Sequence, residues 1–205
     1  YLVGAGPGDP GLLTLRGKAC LEQAEVVIYD ALVDPAVLQH APLAEKVFAG
    51  KQAGRHSLPQ EEITRILLEH AAKYQRVVRL KGGDPFIFGR GGEEALALAQ
   101  AGISFEVVPG VTAATGAAAY AGGPLTHRGL ATSVSFITGH TGLTSDPVPD
   151  LSRLLDGSLV FYMGIKNLPD ILRQLLALPR PESTPAMVIA SGTYARQQTV
   201  TGTLA

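Results

Sequence analysis

The stretch of sequence that decides the fold is LKGGDPFIFGRGGEE, residues 80–94. It follows RVVR, a β-branched run typical of a buried strand, and leads into a helix-period segment that begins near Glu93. The glycines and the proline interrupt regular structure and let a ligand approach the backbone closely. The connection exceeds the roughly 2–6 residues usual between a strand and a helix, so we predict a ligand-binding loop. Its charged residues are Lys81, Asp84, Arg90, Glu93 and Glu94.

Strand-like and helix-like segments alternate through residues 1–110. The predicted strands are residues 1–3, 26–30, 46–49, 76–79 and 104–108. Thr14 is the expected N-cap of a helix that ends near Ala24, and Ser57 with Gln60 forms a capping-box pattern for another helix. This alternation predicts an open parallel α/β sheet, in which right-handed crossovers bring every loop after a strand to one edge. We therefore expect a ligand crevice at that edge.

Residues 111–205 differ in composition from the first half of the chain. Thr112 is the expected cap of a short helix rich in alanine and glycine, and a second helix is predicted at residues 168–176. Predicted strands follow at residues 133–138, 159–163, 186–190 and 198–201. Their close spacing indicates some antiparallel pairing. The sequence thus predicts two α/β domains, residues 1–110 with a parallel sheet and residues 111–205 with a mixed sheet.

The first glycine cluster, GAGPGDPG, is similar to a dinucleotide-binding fingerprint but does not match it. Asp9 stands where the third glycine of GxGxxG is required, and Pro7 and Pro10 prevent a helix from starting in that turn. Asp30 ends the second predicted strand, where it either caps the next turn or points into a site at the sheet edge. Asp84 has a similar pair of interpretations, a turn-forming residue before proline or a ligand contact.

Composition and charge exclude several classes of protein. The formal net charge of −1 argues against a general surface for nucleic acid or anionic membranes. The single cysteine, Cys20, excludes an internal disulfide and fits a reducing compartment, so we expect a cytoplasmic protein. The histidines show no metal-ligand spacing, and we predict no metal. No apolar run reaches the roughly 20 residues of a membrane span. Because the chain begins with Tyr1, we expect its ends to be trimmed.

Several motifs together carry a family resemblance. They are VGAGPGDPGLLTLRG, VVIYDALV, VVRLKGGDPFIFGRGGEE, VVPGVTAATGAAAYAGGPLTHR, LVFYMG and, more loosely, IASGT. This combination resembles the tetrapyrrole methylase family and, through KGGDPFIFGRGGEE and PLTHR, its uroporphyrinogen-III C-methyltransferases. The resemblance extends from residue 3 to residue 193. It implies two α/β domains with S-adenosylmethionine in a cleft between them, and a homodimer. The chain stops short of the C-terminal helix that the family usually has.

The activity that the resemblance implies is methylation of uroporphyrinogen III at C2 and C7, which gives precorrin-2 for sirohaem and cobalamin. Asp30 and Lys51 match positions proposed for proton transfer. Arg90, Glu93 and Arg128 match positions proposed to meet the substrate, and we count Arg90 and Glu93 among the catalytic candidates. The positions that match cofactor contacts are Pro7, Gly82, Gly83, Asp84, Ile87, Thr112, Ala113, Met163 and Gly192.

The chemistry of the residues is compatible with this activity. S-adenosylmethionine has no phosphate, so a glycine loop broken by prolines can hold it through backbone hydrogen bonds. Uroporphyrinogen carries many carboxylates, for which basic side chains are the expected partners. The candidates are Lys51, Arg55, His56, Arg90, His127 and Arg128.

Three alternatives stay open at this point. The chain is compatible with a family relative that methylates another precorrin, or with a non-catalytic ligand-binding module. The third alternative is a nicotinamide-dependent oxidoreductase with Asp30 as its ribose-binding acid, against which the failed GxGxxG pattern argues.

Overall fold

The computed structural model describes residues 1–50, 58–139, 150–152, 154 and 156–205. The chain divides into two compact units, Tyr1–Gly116 and Ala117–Ala205. The domain boundary that we expected after residue 110 remains a prediction. No helix among the described residues is long and apolar enough to cross a membrane.

The first unit is built on a parallel sheet that has five strands among the described residues. Its strands are β1 (Leu2–Gly4), β2 (Val26–Tyr29), β3 (Glu45–Phe48), β4 (Val77–Lys81) and β5 (Val107–Val108). Their spatial order is β3-β2-β4-β1-β5, and every pairing is parallel. The predicted open parallel sheet is therefore confirmed, and the loops after its strands share one edge.

Helices cover both faces of this sheet. They are α1 (Leu15–Glu22), α2 (Gln60–Ala71), α3 (Gly91–Gln100) and the start of α4 (Ala113–Tyr120), with short 3-10 helices at Pro10–Leu12 and Pro35–His40. One core contains Val3, Val27 and Leu80 with Leu21 of α1. The opposite core contains Leu2, Ile28 and Val77 with Leu67 of α2 and Leu98 of α3. Alternate residues of each strand thus enter opposite cores, as the strand period requires.

The start of α3 differs from the sequence prediction. The helix begins at Gly91, two residues before the predicted start, so Gly91 and Gly92 belong to its first turn. Arg90 occupies the N-cap position in the left-handed region, and the Gly91 amide donates to the Pro85 carbonyl at 3.0 Å. A Cβ on Gly91 would collide with that same carbonyl oxygen. Close contact with the preceding loop, rather than helix propensity, therefore explains a glycine at this position.

The second unit contains β6 (Val134–Thr138), β7 (Ser158–Tyr162), β8 (Pro185–Ala190) and β9 (Gln198–Thr203), together with α5 (Leu168–Leu176). β6 pairs with β7 in parallel, and β8 pairs with β9 antiparallel. Both pairing types that we expected are present, but among the described residues they form two separate two-stranded ladders. Ile137, Ile171 and Leu175 lie in the core on which α5 packs.

Candidate functional site

Three loops of the first unit meet at the carboxyl ends of β4, β1 and β5. A Cβ on Gly4 would lie 2.6 Å from the Gly110 Cα and 2.6 Å from the Gly83 carbonyl oxygen, so the backbones touch directly. Gly6 and Gly83 exchange two hydrogen bonds, of 3.2 Å from the Gly6 amide and 2.7 Å from the Gly83 amide. The glycines at this edge therefore hold the loops together without side chains.

Asp84 fastens two of these loops to each other. Its Oδ1 accepts a hydrogen bond from the Phe86 amide at 2.8 Å, the turn-forming role expected before Pro85. Its Oδ2 accepts from the Gly110 amide at 3.0 Å, in the loop after β5. Asp84 thus shapes the surface offered to a ligand, and its direct contact with a cofactor remains a prediction.

The edge is less crowded at Gly83 than at Gly4 and Gly110. Its φ of +67° is in the region that favours glycine, and a Cβ there would lie 3.9 Å from the Thr112 Cα and 4.0 Å from the Ala113 backbone nitrogen. A Cβ at Gly83 would therefore make ordinary van der Waals contact with the start of α4 without a collision. The structure therefore brings three predicted cofactor residues together, Gly83, Thr112 and Ala113, with Pro7 next to Gly6.

The other predicted cofactor residues of this unit lie in or beside the same loop. Gly82 packs against the turn after β2, where a Cβ would lie 2.7 Å from the Leu32 Cβ. Ile87 is half-buried between Phe86 and Phe88, whose side chains are exposed. Phe88 also has a positive φ of 51°. A connection with two exposed aromatic side chains and a strained backbone is unusual unless a ligand covers it.

Asp30 performs the turn-capping role that the sequence left open, and a carboxylate contact inside the protein accompanies it. Its Oδ1 accepts from the Leu32 amide at 3.0 Å, which caps the turn after β2. Its Oδ2 lies 3.2 Å from Nη2 of Arg79, and its side chain is 22% exposed. The carboxylate is therefore held at two points and still faces the sheet edge. Its role in proton transfer remains a prediction.

A buried charge cluster lies beneath Asp30. Arg79 and Lys81 project from alternate positions of β4, and Glu94 projects from α3. Oε1 of Glu94 accepts from Arg79 Nε at 3.1 Å, from Lys81 Nζ at 3.0 Å and from Gln60 Nε2 at 3.2 Å. Burial lowers the pKa of Lys81, with a further lowering by the Arg79 charge, while Glu94 opposes both effects.

The sequence assigned the charges of Lys81 and Glu94 to a ligand-binding loop, whereas the structure places Lys81 in β4 and Glu94 in α3. Lys81 is 4% exposed and Glu94 is fully buried. Arg79 was missed as a functional candidate because it was taken only as a strand residue. The available signal was the alternation of Arg79 and Lys81 in a strand whose other residues are Val77, Val78 and Leu80. Charges at alternate positions of a buried strand need partners inside the protein.

Arg90 and Glu93 form an exposed pair at the start of α3. Nε and Nη2 of Arg90 donate to the two carboxylate oxygens of Glu93 at 2.8 and 2.7 Å. Both side chains are 54% exposed, so solvent screens the pair and its contribution to stability is small. The hydrogen bond from Arg90 lowers the pKa of Glu93. Because the planar guanidinium of Arg90 and the planar carboxylate of Glu93 pair through two hydrogen bonds, the Arg90 side chain has a fixed direction.

The remaining predicted residues belong to the second unit or lie outside the described residues. His127 and Arg128 are exposed in a tight turn in which His127 and Ala131 exchange backbone hydrogen bonds of 2.9 Å. Met163 follows β7 with a φ of 57° and is 60% exposed. Gly192 packs on α4, where a Cβ would lie 2.5 Å from the Ala117 Cβ. Lys51, Arg55 and His56 lie outside the described residues, and so does Ser57 of the predicted capping box.

Comparison of the sequence with known proteins identifies one matching family model and several similar proteins. The family model for Tetrapyrrole (Corrin/Porphyrin) Methylases matches residues 1–205. The chain is 56% identical over 207 residues to siroheme synthase 1 of Yersinia enterocolitica, and 55% identical over 208 residues to a siroheme synthase of Pseudomonas aeruginosa. Both alignments cover 100% of this chain and 44% of the relative. The chain therefore spans less than half the length of these relatives.

Solved structures show the same relationship. Uroporphyrin-III C-methyl transferase from Thermus thermophilus, complexed with S-adenyl homocysteine, is 46% identical with a TM-score of 0.85, and the match covers 100% of this chain and 87% of that one. A cobalt precorrin-4 methyltransferase is 32% identical with a TM-score of 0.84, over 100% of this chain and 84% of that one.

The resemblance that the motifs indicated is thus confirmed over the full chain, together with the α/β fold that it implied. The matched stretch includes the glycine edge, Asp30 and the Arg90–Glu93 pair. The chain belongs to the tetrapyrrole (corrin/porphyrin) methylase family.

Proposed function

We propose that this chain is an S-adenosylmethionine-dependent C-methyltransferase that methylates uroporphyrinogen III twice, at C2 and C7, to give precorrin-2. The observation that carries the proposal is the glycine edge at Gly83, next to Thr112 and Ala113, in a chain 46% identical to a uroporphyrin-III C-methyl transferase solved with S-adenyl homocysteine. The test is anaerobic incubation with uroporphyrinogen III and labelled S-adenosylmethionine, followed by mass analysis of the tetrapyrrole. Two added methyl groups are the expected result.

The residues at the glycine edge fit this cofactor. Gly83 lies beside the start of α4 without side-chain crowding, and the edge offers backbone groups rather than a phosphate-binding helix start. The negative charge of Asp9 would repel a pyrophosphate. Its side chain instead caps the 3-10 helix Pro10–Leu12 by accepting a hydrogen bond from the Gly11 amide at 2.7 Å. S-adenosylmethionine, when bound, supplies an electrophilic methyl group. The family assignment leaves the nicotinamide alternative without support.

The chain's own residues then have three tasks. The loop that Asp84 fixes holds the cofactor and keeps water from the reacting carbon. Both effects matter because methyl transfer gains most from alignment of the reactants and from exclusion of water. Asp30, at the neighbouring strand end, accepts the proton that the methylated ring must lose. Arg90, directed by Glu93, binds a carboxylate of the substrate, with Arg128 and His127 as further partners.

Compartment and assembly are two further proposals, which do not depend on the site. We propose that the enzyme is cytoplasmic, since the buried, unpaired Cys20 suits a reducing compartment. We also propose that it forms the homodimer that the family resemblance implies.

Cofactor binding is expected to stabilise the folded protein. S-adenosylhomocysteine at about a hundredfold excess over its dissociation constant should add about 2.7 kcal/mol to the free energy of unfolding by mass action. For a chain of this size that corresponds to a rise in Tm of roughly 5–11 °C. Differential scanning fluorimetry with and without the ligand measures it, and NAD is the control ligand that should cause no shift. A shift with NAD alone would contradict the proposal.

Removal of the Arg90 side chain is expected to weaken substrate binding but not cofactor binding. A lost charged hydrogen bond to a carboxylate costs about 1.5–3 kcal/mol, so Arg90→Ala should lower kcat/KM for uroporphyrinogen III by about one to two orders of magnitude. Glu93→Ala should show part of the same loss and be non-additive with Arg90→Ala, since Glu93 acts by directing Arg90.

The matched control for this pair is Arg173→Ala. Arg173 is an exposed arginine of α5 that pairs with Asp170 at the same helical spacing. Steady-state kinetics of the control should equal those of the parent enzyme. Calorimetry with S-adenosylhomocysteine should give one affinity for all these variants, and a loss with Arg90→Ala would place Arg90 on the cofactor side of the site.

A further inference from the structure

Arg79 is a buried arginine to which the reaction steps above give no task. It lies within β4, a central strand of the first sheet, and is 2% exposed. Its register partners on the flanking strands are Leu2 and Ile28, which are fully buried. A guanidinium in such surroundings is unfavourable unless acceptors surround it.

Acceptors do surround it. Nε donates to Glu94 Oε1 at 3.1 Å, and Nη1 donates to the carbonyl oxygens of Leu80 at 2.9 Å and Ile28 at 3.5 Å. Nη2 donates to Asp30 Oδ2 at 3.2 Å. The guanidinium is planar and its donors have fixed directions, so this set of partners defines its orientation. Asp30 is the one of these partners that reaches the ligand edge.

The inner end of the guanidinium is fixed in turn by Glu94. The same Glu94 oxygen accepts from Lys81 Nζ of β4 and from Gln60 Nε2 of α2. The sheet, α2 and α3 therefore meet at one carboxylate oxygen of Glu94. Because Arg79 donates hydrogen bonds both to that oxygen and to Asp30, it fixes the position of the Asp30 carboxylate.

Stability alone does not explain this arrangement. The cluster contains two cations, Arg79 and Lys81, and two anions, Asp30 and Glu94, so it is balanced in charge. Replacement of a balanced buried cluster by apolar residues is often neutral or stabilising. A fold that needed only stability at this place would be served by aliphatic side chains like those of its neighbours.

We infer that Arg79 is a positioning residue for Asp30, which it holds in the orientation that proton removal from the methylated ring requires. This inference rests on the proposed function, in which Asp30 accepts that proton. Without Arg79, Asp30 keeps the turn contact with the Leu32 amide and loses the contact that fixes the other oxygen. The expected consequence is slower turnover, with the cofactor site unchanged.

The test uses the double variant Arg79→Met, Glu94→Gln, which removes one cation and one anion and keeps an acceptor for Lys81 and Gln60. Circular dichroism and a thermal melt check that it folds. We expect kcat for methylation of uroporphyrinogen III to fall by roughly 10- to 100-fold, the scale of a misplaced reacting group. The KM for uroporphyrinogen III and the affinity for S-adenosylhomocysteine should stay unchanged. Arg76→Met, an exposed arginine just before the same strand, is the control.

The decisive comparison repeats the substitutions in an Asp30→Asn background. If Arg79 acts only through Asp30, the substitutions should then change kcat by no more than about twofold. That is the usual deviation when the effects of mutations at independent sites are added. An equal fold loss in both backgrounds, or an undiminished kcat in the first, would overturn the inference. If the double variant does not fold, Arg79→Lys replaces it, because an ammonium lacks the planar fork that bridges Asp30 and Glu94. The same dependence on Asp30 is expected.

Failure of the proposed function would look different. A parent enzyme that binds S-adenosylhomocysteine but adds no methyl group to uroporphyrinogen III would contradict the proposed substrate. The crystal structure of the double variant would then decide the inference. A displaced Asp30 carboxylate would support positioning by Arg79, and an unmoved carboxylate would overturn it.

Discussion

Replacement of Asp30 by asparagine is expected to lower turnover by roughly 10²–10⁴-fold, the usual contribution of a general base. Asparagine keeps the shape of the side chain and an oxygen that can accept from the Leu32 amide, so the turn after β2 should persist. It loses the negative charge that faces Arg79 and the ability to accept the ring proton. Anaerobic steady-state kinetics with uroporphyrinogen III measure the loss, and calorimetry should show near-normal affinity for S-adenosylhomocysteine.

Asp34 provides a matched control for this variant. It also forms a turn, because its Oδ1 accepts from the Ala36 amide at 2.8 Å at the start of the 3-10 helix Pro35–His40. Asp34→Asn makes the same chemical change four residues further along the chain and should leave kcat unchanged. Full activity in Asp30→Asn would reduce Asp30 to a turn residue and would assign proton transfer elsewhere.

Substitution of Gly83 by valine is expected to abolish cofactor binding in a protein that still folds. The Cβ would lie within contact distance of Thr112 and Ala113, where the cofactor is proposed to bind, and the valine methyl groups would extend further into that site. The left-handed backbone at Gly83 adds a strain of about 1–2 kcal/mol, which lowers stability without excluding folding. Calorimetric titration with S-adenosylhomocysteine should detect no binding, while circular dichroism should retain the signal of the parent protein.

The variant Gly102→Val distinguishes the effect of backbone strain from the effect of a side chain that fills the proposed cofactor site. Gly102 has a φ of +69°, against +67° for Gly83, and a Cβ there would meet no atom within 4 Å. Both variants should therefore lose similar stability in a thermal melt, and only Gly83→Val should lose the ligand. Equal affinities in the two variants would show that the loop after β4 is merely a connection.

The sequence predicted the secondary structure well where local signals agreed with burial. Thr14 caps α1 as expected, with Oγ1 accepting from the Gly17 amide at 3.0 Å. The predicted helix at residues 168–176 coincides with α5, whose apolar face packs in the core of the second unit. The start of α3 was misplaced, because glycine is a poor helix former and only the contact with the Pro85 carbonyl explains Gly91.

The candidate site was predictable in its loops and not in its internal contacts. Parallel strands bring their following loops to one edge, so the grouping of Gly83 with Thr112 and Ala113 follows from topology. The two hydrogen bonds of Asp84 did not follow, because its second partner, Gly110, is 26 residues away in sequence. The functional roles of these residues remain predictions that the variants above test.

The sequence by itself determined the family, the parallel sheet and the glycine edge, because strand period, capping residues and turn composition are local properties. Only the tertiary structure decided which partners the buried charges meet. Arg79 meets Glu94 across 15 residues and Asp30 across 49, contacts that no local pattern encodes. A cation in a strand becomes a buried partner only when helices cover its face of the sheet. For this reason the packing of α2 and α3 places Arg79, Lys81 and Glu94 beneath the site rather than within it.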